Sequence, residues 1–252
     1  MIQEFYYGTS WHWPLPYLPR VMLSYNYVRK LKMPWKIEIP FMMDSGAYSV
    51  ILKHGKYPYT PEEYAKGIEN WNATIAWTMD YPCEPFVRQK GNYDSIKAQE
   101  MTIGNQIKLL ELNVHTQMVV QGWTVNDYLE NIDMIKDRGL LTKRLGIGSI
   151  CRRGKNREIA RIIRAVHNNV PSWVKLHGFG IKVSVLKNTD AKFNLYSADS
   201  QSWGYENRYG DWLKGEYNGK TWIDKVPDLK RYIARAEKML NPAEPLFVEA
   251  LK

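Results

Sequence analysis

The chain of 252 residues holds only two cysteines, Cys83 and Cys151. Two thiols cannot build a disulfide framework or a multi-cysteine zinc site. The five histidines are scattered and form no ligand cluster, so neither a metal nor any other cofactor is expected. No apolar run approaches the roughly 20 residues that a helix needs to cross a bilayer. The opening MIQEFYYGTS lacks a basic stretch followed by an apolar core, which argues against a secretory signal. Together these absences point to a cytoplasmic protein with reduced thiols and no membrane partner. Internal repeats, low-complexity tracts and a composition break are also missing, which leaves a single domain over 1–252. Acidic charge is the scarcer sign: 26 Asp and Glu stand against 35 Lys and Arg, for a net charge of +9. A basic surface favours a polyanionic partner, because neutralising phosphates releases counterions. Disorder is excluded, since 44% of the residues are hydrophobic and they run throughout the chain.

Short apolar runs alternate with amphipathic stretches, the pattern of βαβ units around a parallel sheet. The predicted strands are Glu4–Tyr7, Val21–Tyr25, Pro40–Met43, Thr74–Met79, Thr116–Val120, Arg144–Ile147, Val174–Leu176 and Asn194–Ser197. Eight strands in a chain of this length predict an α/β fold of the (β/α)8 TIM-barrel type. Helix signals fill the gaps. Thr60-Pro61-Glu62-Glu63 offers a cap, a proline at the first position and a glutamate at the third. Thr124 with Asp127 repeats the device, and Gly139 ends that helix after Tyr128, Leu129, Ile132 and Ile135 have lined one face. Asp94 is expected to cap a helix with Ile96, Ile103, Ile107 and Leu110 inward, and Asn156 one with a stripe of Ile159, Ile162, Ile163 and Val166. Pro227 opens a last helix over 227–240 that buries Leu229, Tyr232, Ile233 and Leu240. The Trp-, Tyr- and Gly-rich stretch 201–226 has little periodicity and reads as an irregular excursion.

In a parallel barrel the loops that follow the strands form the chemical face. The polar residues at those ends are Asp44, Asp80, Gln121, Gly148, His177 and Asp199. Two separated carboxylates can divide nucleophilic and acid/base roles, as in glycosidic cleavage through a covalent intermediate. A third carboxylate and an amide can read the donor and acceptor edge of a guanine-like base. Any one such Asp, taken alone, is more often a helix cap; the whole set at successive strand ends favours chemistry.

These residues lie in segments that resemble a known family. MMDSGAYS (Met42–Ser49), MVVQGW (Met118–Trp123), LGIGS (Leu145–Ser149), LHGFGIK (Leu176–Lys182) and YSADSQSW (Tyr196–Trp203) are similar, in order, to the conserved segments of the tRNA-guanine transglycosylases. The resemblance implies a pentosyltransferase in which Asp199 attacks the sugar C1′ and Asp44 protonates the departing base and deprotonates the incoming one. It implies that Asp80 binds the N1/N2 edge of the base, that Gln121 and the Gly148 N–H address O6, and that Tyr48 stacks on the ring. His177 would line the opposite side, although the family usually has another residue there; Ser45 and Gly178 complete the substrate-binding set. The zinc module of the tRNA enzymes has no counterpart, since no cysteine follows Cys151; Trp203, Tyr205, Tyr209, Trp212, Tyr217 and Trp222 stand in its place. That departure resembles the 7-deazaguanine DNA transglycosylases (the DpdA-type branch), frequent in phages, which exchange guanine in DNA for a base such as preQ0. For a phage-encoded member the location would be the host cytoplasm.

The implied partners are DNA and a free 7-deazaguanine base, with a helper protein that opens the duplex as a further candidate. Arg152, Arg153, Lys155 and Arg157 follow the sixth strand and are expected to hold phosphates; Lys53, His54 and Lys56, after the third, are a weaker group of the same kind. Three other readings stay open at this point: a tRNA enzyme without a zinc module, a non-catalytic nucleic-acid-binding subunit, and a carbohydrate hydrolase on the same barrel.

Overall fold

The computed structural model describes residues 2–32, 34–203 and 225–240. Eight strands run parallel in one curled sheet: β1 (Glu4–Gly8), β2 (Val21–Ser24), β3 (Phe41–Asp44), β4 (Ile75–Ala76), β5 (Met118–Val120), β6 (Arg144–Ile147), β7 (Lys175–Gly178) and β8 (Ser197–Ser200). Their order is β4-β3-β2-β1-β8-β7-β6-β5, so the last strand returns to pair with the first. The edge strands β4 and β5 share no ladder. They meet at one isolated parallel bridge between Trp77 and Gln117, carried by Thr78 N–H to Gln117 O (2.9 Å) and Gln117 N–H to Ala76 O (2.8 Å). The expected α/β class and eight parallel strands are present, and one side of the expected barrel is a seam.

Among the described residues nine α-helices cover the sheet: α1 (Tyr25–Val28), α2 (Ala47–His54), α3 (Pro61–Trp71), α4 (Pro85–Gly91), α5 (Ser95–Glu111), α6 (Val125–Asp137), α7 (Asn156–Asn168), α8 (Thr189–Asn194) and α9 (Val226–Leu240). Both anticipated capping boxes form, at Thr60/Glu63 and Thr124/Asp127. Asp94 caps α5 by accepting the Lys97 N–H at 2.8 Å. Before α7 the cap is Lys155, without a side-chain bond, and Asn156 already lies in the first turn. The stripes of α7 and α9 are buried where the 3.6-residue period puts them. The segment 204–224, with Tyr205, Tyr209, Trp212, Tyr217 and Trp222, lies outside the described residues. Trp203 is core: its indole N–H donates to Gly8 O at 2.9 Å, and its ring meets Trp11 and Trp13 edge-on.

Two expectations are corrected. Ile96 and Ile107 of α5 are 59% and 40% exposed; the inward face carries Ala98, Gln99, Thr102, Ile103, Gln106 and Leu109. The polar members face inward because they satisfy strand-end carbonyls, Gln99 donating to Gln121 O (2.9 Å) and Gln106 to Thr116 O (3.1 Å). The last strand starts at Ser197 rather than Asn194, because Thr189–Asn194 is spent on α8. Asp199 therefore stands within its strand.

Residues two apart on a strand share a face, and this period positions the site. Tyr6, Met22, Met42, Trp77 and Val119 pack together inside the curled sheet. Two residues further on, the same inward column carries Ser24, Asp44 and Gln121; likewise Asp199 follows Ser197, and Phe179 follows His177. Polar chemistry is thus stacked directly on an apolar floor. The larger core lies between the sheet and its helices.

Candidate active site

The upper layer opens into a cavity of about 500 Å³. Its lining includes Asp44, Asp80, Gln121, Gly148 and Asp199, together with Tyr48 and Arg152 at the rim. With Ser24 at the end of β2 and Phe179 after β7, seven strand ends contribute to one concavity large enough for a purine ring and its sugar.

Asp199 is 8% exposed. Its Oδ1 accepts the Gly180 N–H at 2.9 Å and faces His177 Nε2 at 3.2 Å. Gly180 reaches this position with φ of +59°, a backbone region open to glycine at low cost. His177 Nδ1 lies 2.9 Å from Ser197 Oγ. Nε2 is the ring nitrogen that can donate to the carboxylate. His177 is itself fully buried, against the rings of Trp77 and Phe179. It does not line the cavity, contrary to its expected place across from Tyr48: it sits one layer below and holds Asp199. Gly178 is also outside the lining, packed on Ile181 and Leu195.

Asp44 Oδ1 accepts the Gly46 N–H at 2.7 Å, and the Ser24 hydroxyl also donates to the carboxylate. Burial, then the negative charge of Asp199 and Asp80, pushes its pKa up to about 7. Gly46 has φ of +76°, and a Cβ there would come within 2.3 Å of Ser24 Oγ. The Asp-Ser-Gly sequence is thus one device: the glycine turns the chain so that its own N–H and Ser24 both reach the acid.

Asp80 is pushed up to about 6 by burial, against hydrogen bonds from Ser45 and Gln121 that favour the charge. Ser45 Oγ donates to Asp80 Oδ1 at 3.2 Å and lies 2.8 Å from the Tyr57 hydroxyl. Tyr57 donates to the Asp80 carbonyl at 2.6 Å, and Tyr59 to that of Ser45. Ser45 is therefore a support for Asp80 and lies outside the lining. Gln121 Nε2 donates to Asp80 Oδ2. The Gly148 N–H, expected to face the base, is committed to Val120 O at 3.0 Å. Its missing side chain is what matters, since a Cβ there would overlap the Gln121 amide at 2.2 Å.

The basic group divides. Arg152 lines the cavity, and its guanidinium lies 5.0 Å from the centroid of the Tyr48 ring. Lys155 and Arg157 are exposed beyond it. Arg153 is 3% exposed; it pairs with Glu158, donates to Ser149 O and Trp123 O, and lies over the Trp123 ring. Its charge faces inward and is consumed there. Lys53, His54 and Lys56 are exposed at and after the end of α2, outside the lining. Lys182 is a basic lining residue that the sequence did not single out.

Two buried residues of the pocket floor were also missed, Glu84 and Ser149. Glu84 lies four residues past Asp80, beyond the strand end where polar residues draw notice. Ser149 was visible only as the last letter of a glycine-rich motif; its φ of +53° is rare for a residue with a side chain. Among the described residues no three His, Cys, Asp or Glu side chains come together as a metal site, and no helix is long and apolar enough to cross a membrane. Compared with known proteins, the chain matches no curated one. A family model described as DpdA, DeoxyPurine in DNA protein A, matches residues 1–232.

Proposed function

The chain belongs to the DpdA family, DeoxyPurine in DNA protein A, and from that membership we propose that it exchanges guanine in DNA for a 7-deazaguanine base such as preQ0, through a covalent Asp199 intermediate. The observation that carries this reading is the pairing, in one cavity, of an acid poised near neutrality with a carboxylate held by one oxygen. Asp44 has its pKa raised to about 7, while Asp199 Oδ1 is fixed by Gly180 and His177, which leaves Oδ2 for attack.

The steps balance as follows. Asp199 Oδ2 bonds to C1′ of the deoxyribose as the bond from C1′ to the base nitrogen breaks. The electron pair leaves with guanine, which takes the Asp44 proton. The incoming 7-deazaguanine gives its ring N–H proton to Asp44, its nitrogen bonds to C1′, and the Asp199 carboxylate is released. Asp80 and Gln121 read the N1/N2 edge and O6, with Gln121 supplying the donor because the Gly148 N–H is spent in the sheet. Tyr48 stacks on the ring, and Arg152, Lys182, Lys155 and Arg157 track phosphate. Guanine must leave the duplex to enter, at a few kcal/mol for unstacking and unpairing, which is where a helper protein that opens DNA would act. The architecture we assign is one (β/α)8 domain over the whole chain.

The test is incorporation of a labelled 7-deazaguanine into DNA and into tRNA, side by side, with Asp199→Ala as control. We expect label in DNA, and a denaturation-stable protein–DNA adduct that the variant cannot form. Label in tRNA alone would move the activity to tRNA, and an undiminished adduct with Asp199→Ala would remove Asp199 as nucleophile.

A further inference from the structure

The floor of the pocket poses a problem of proton counting. Ser149 Oγ lies 2.7 Å from three partners: the Cys83 N–H, Glu84 Oε2 and Gln121 Oε1. Cys83 is a donor. A serine has one proton, so it can satisfy Gln121 or Glu84 but not both. The far end of the Gln121 amide resolves the choice. Its Nε2 donates to Asp80 Oδ2, so Oε1 is the acceptor and takes the Ser149 proton. The remaining short contact, between Ser149 and Glu84, then needs its proton from Glu84.

We propose that Glu84 carries a proton and, through Ser149, fixes which way round the Gln121 amide points, so that Glu84 determines whether the pocket accepts a 6-oxo or a 6-amino purine. This deepens the transglycosylase reading and rests on it. Only the amide is free to turn. The Gln121 backbone is pinned at both ends, its N–H to Asn131 Oδ1 (2.8 Å) and its carbonyl by Gln99 (2.9 Å). Two arrangements share the same proton count. In the first, Glu84 is neutral, Asp80 is ionised, and Gln121 points its NH2 group at Asp80. The pocket then offers a carboxylate to ring N–H donors and a second Nε2 proton to a carbonyl, the complement of a 6-oxo, 2-amino ring. In the second, the proton sits on Asp80 and Ser149 donates to an ionised Glu84. The amide is inverted, with Oε1 taking the Asp80 proton and Nε2 donating to Ser149, so the pocket presents the Gln121 carbonyl, which a 6-amino group can pair with and a 6-oxo group cannot. The amide orientation in the structure is that of the first.

The surroundings agree. Glu84 is 1% exposed, and burial raises its pKa against the pull of Arg153 and Arg152. The Asp80 carboxylate beyond Gln121 adds a like charge. The other titratable neighbours, the thiols of Cys83 and Cys151 and the phenols of Tyr93 and Tyr128, are all shifted towards their neutral forms. Glu84 acts through Ser149 and Gln121 and is therefore a positioning residue.

Two measurements test this, and neither needs turnover. The first is calorimetric binding of 7-deazaguanine and 7-deazaadenine to the full chain. Glu84→Gln keeps a neutral donor to Ser149 and should keep the wild-type preference for the 6-oxo base. Ser149→Ala and Glu84→Leu free the amide and should each cut that preference about tenfold, the loss expected for one hydrogen bond. An unchanged preference in both, or an equal loss in Glu84→Gln, would overturn the proposal. The second is infrared difference spectroscopy near pH 7, where wild type minus Glu84→Gln should contain the C=O stretch of a protonated carboxylic acid; its absence would also overturn it. If wild-type protein binds neither base, the transglycosylase reading falls, and the infrared band still decides where the proton is.

Discussion

Replacing Asp44 by asparagine should stabilise the fold at alkaline pH while removing catalysis, and the size of the gain follows from the site. An ordinary aspartate loses its proton at 3.8, whereas Asp44 keeps it to about 7 because burial, Asp199 and Asp80 oppose its charge. The folded state therefore binds one more proton than the unfolded chain across that window, and stability falls as pH rises through it. The contribution of the proton is complete below 3.8 and gone above about 7. Three decades of proton activity at ~1.4 kcal/mol each set an upper bound of ~4 kcal/mol. Asparagine keeps a carbonyl for the Gly46 N–H but replaces the other carboxylate oxygen by a donor, so the Ser24 hydroxyl must turn to accept, and weakening that bond costs about 1–2 kcal/mol. The expected net gain is thus ~2 kcal/mol at pH 8, shrinking towards zero or reversing at pH 4. Urea denaturation of both proteins at pH 4, 6 and 8 measures it directly. A difference that does not change with pH, or a less stable variant at pH 8, would refute the assignment of Asp44 as a group that carries a proton near neutrality. The matching kinetic expectation is that single-turnover adduct formation falls about fivefold from pH 7 to pH 8 as Asp44, with its pKa near 7, deprotonates.

His177→Leu should slow adduct formation about 10- to 100-fold, the worth of one hydrogen bond to a charged group, with KM for DNA little changed. His177→Gln restores a donor and should recover part of the rate; equal rates in the two variants would leave His177 as packing alone. Arg152 and Arg153 should separate cleanly. Arg152→Ala should weaken DNA binding and flatten its salt dependence without altering stability. Arg153→Ala should lose ~2 kcal/mol in urea unfolding, because it strips hydrogen bonds from Ser149 O and Trp123 O. If both variants shifted the salt slope equally, Arg153 would belong to the phosphate track after all.

The sequence makes the strand ends legible because a period of two and a period of 3.6 leave different marks, and because a parallel barrel opens its chemistry at one end only. That logic reaches Asp44, Gln121 and Asp199, which follow the inward column of their strands. It misplaces His177, since the pattern cannot distinguish the layer that lines a cavity from the layer beneath it. It cannot tell Arg152 from Arg153 either: the two are adjacent and alike, and only the packing of Trp123 and Glu158 turns one inward. The inward face of α5 is not legible in the sequence because glutamines that satisfy strand carbonyls are polar by composition and buried by role. Glu84 and Ser149 carry no periodic signal at all, and become visible only when three short contacts converge on one hydroxyl.

The seam has a mechanical consequence. Asp80 follows β4 and Gln121 follows β5, so the two side chains assigned to grip the base stand on opposite lips of the least hydrogen-bonded line in the sheet. Backbone joins those lips only at the bridge between Trp77 and Gln117, and above it the bond from Gln121 to Asp80 is the clasp. A base bound by both residues, as proposed, would span that line beside the clasp, so the width of the pocket is tied to the width of the seam.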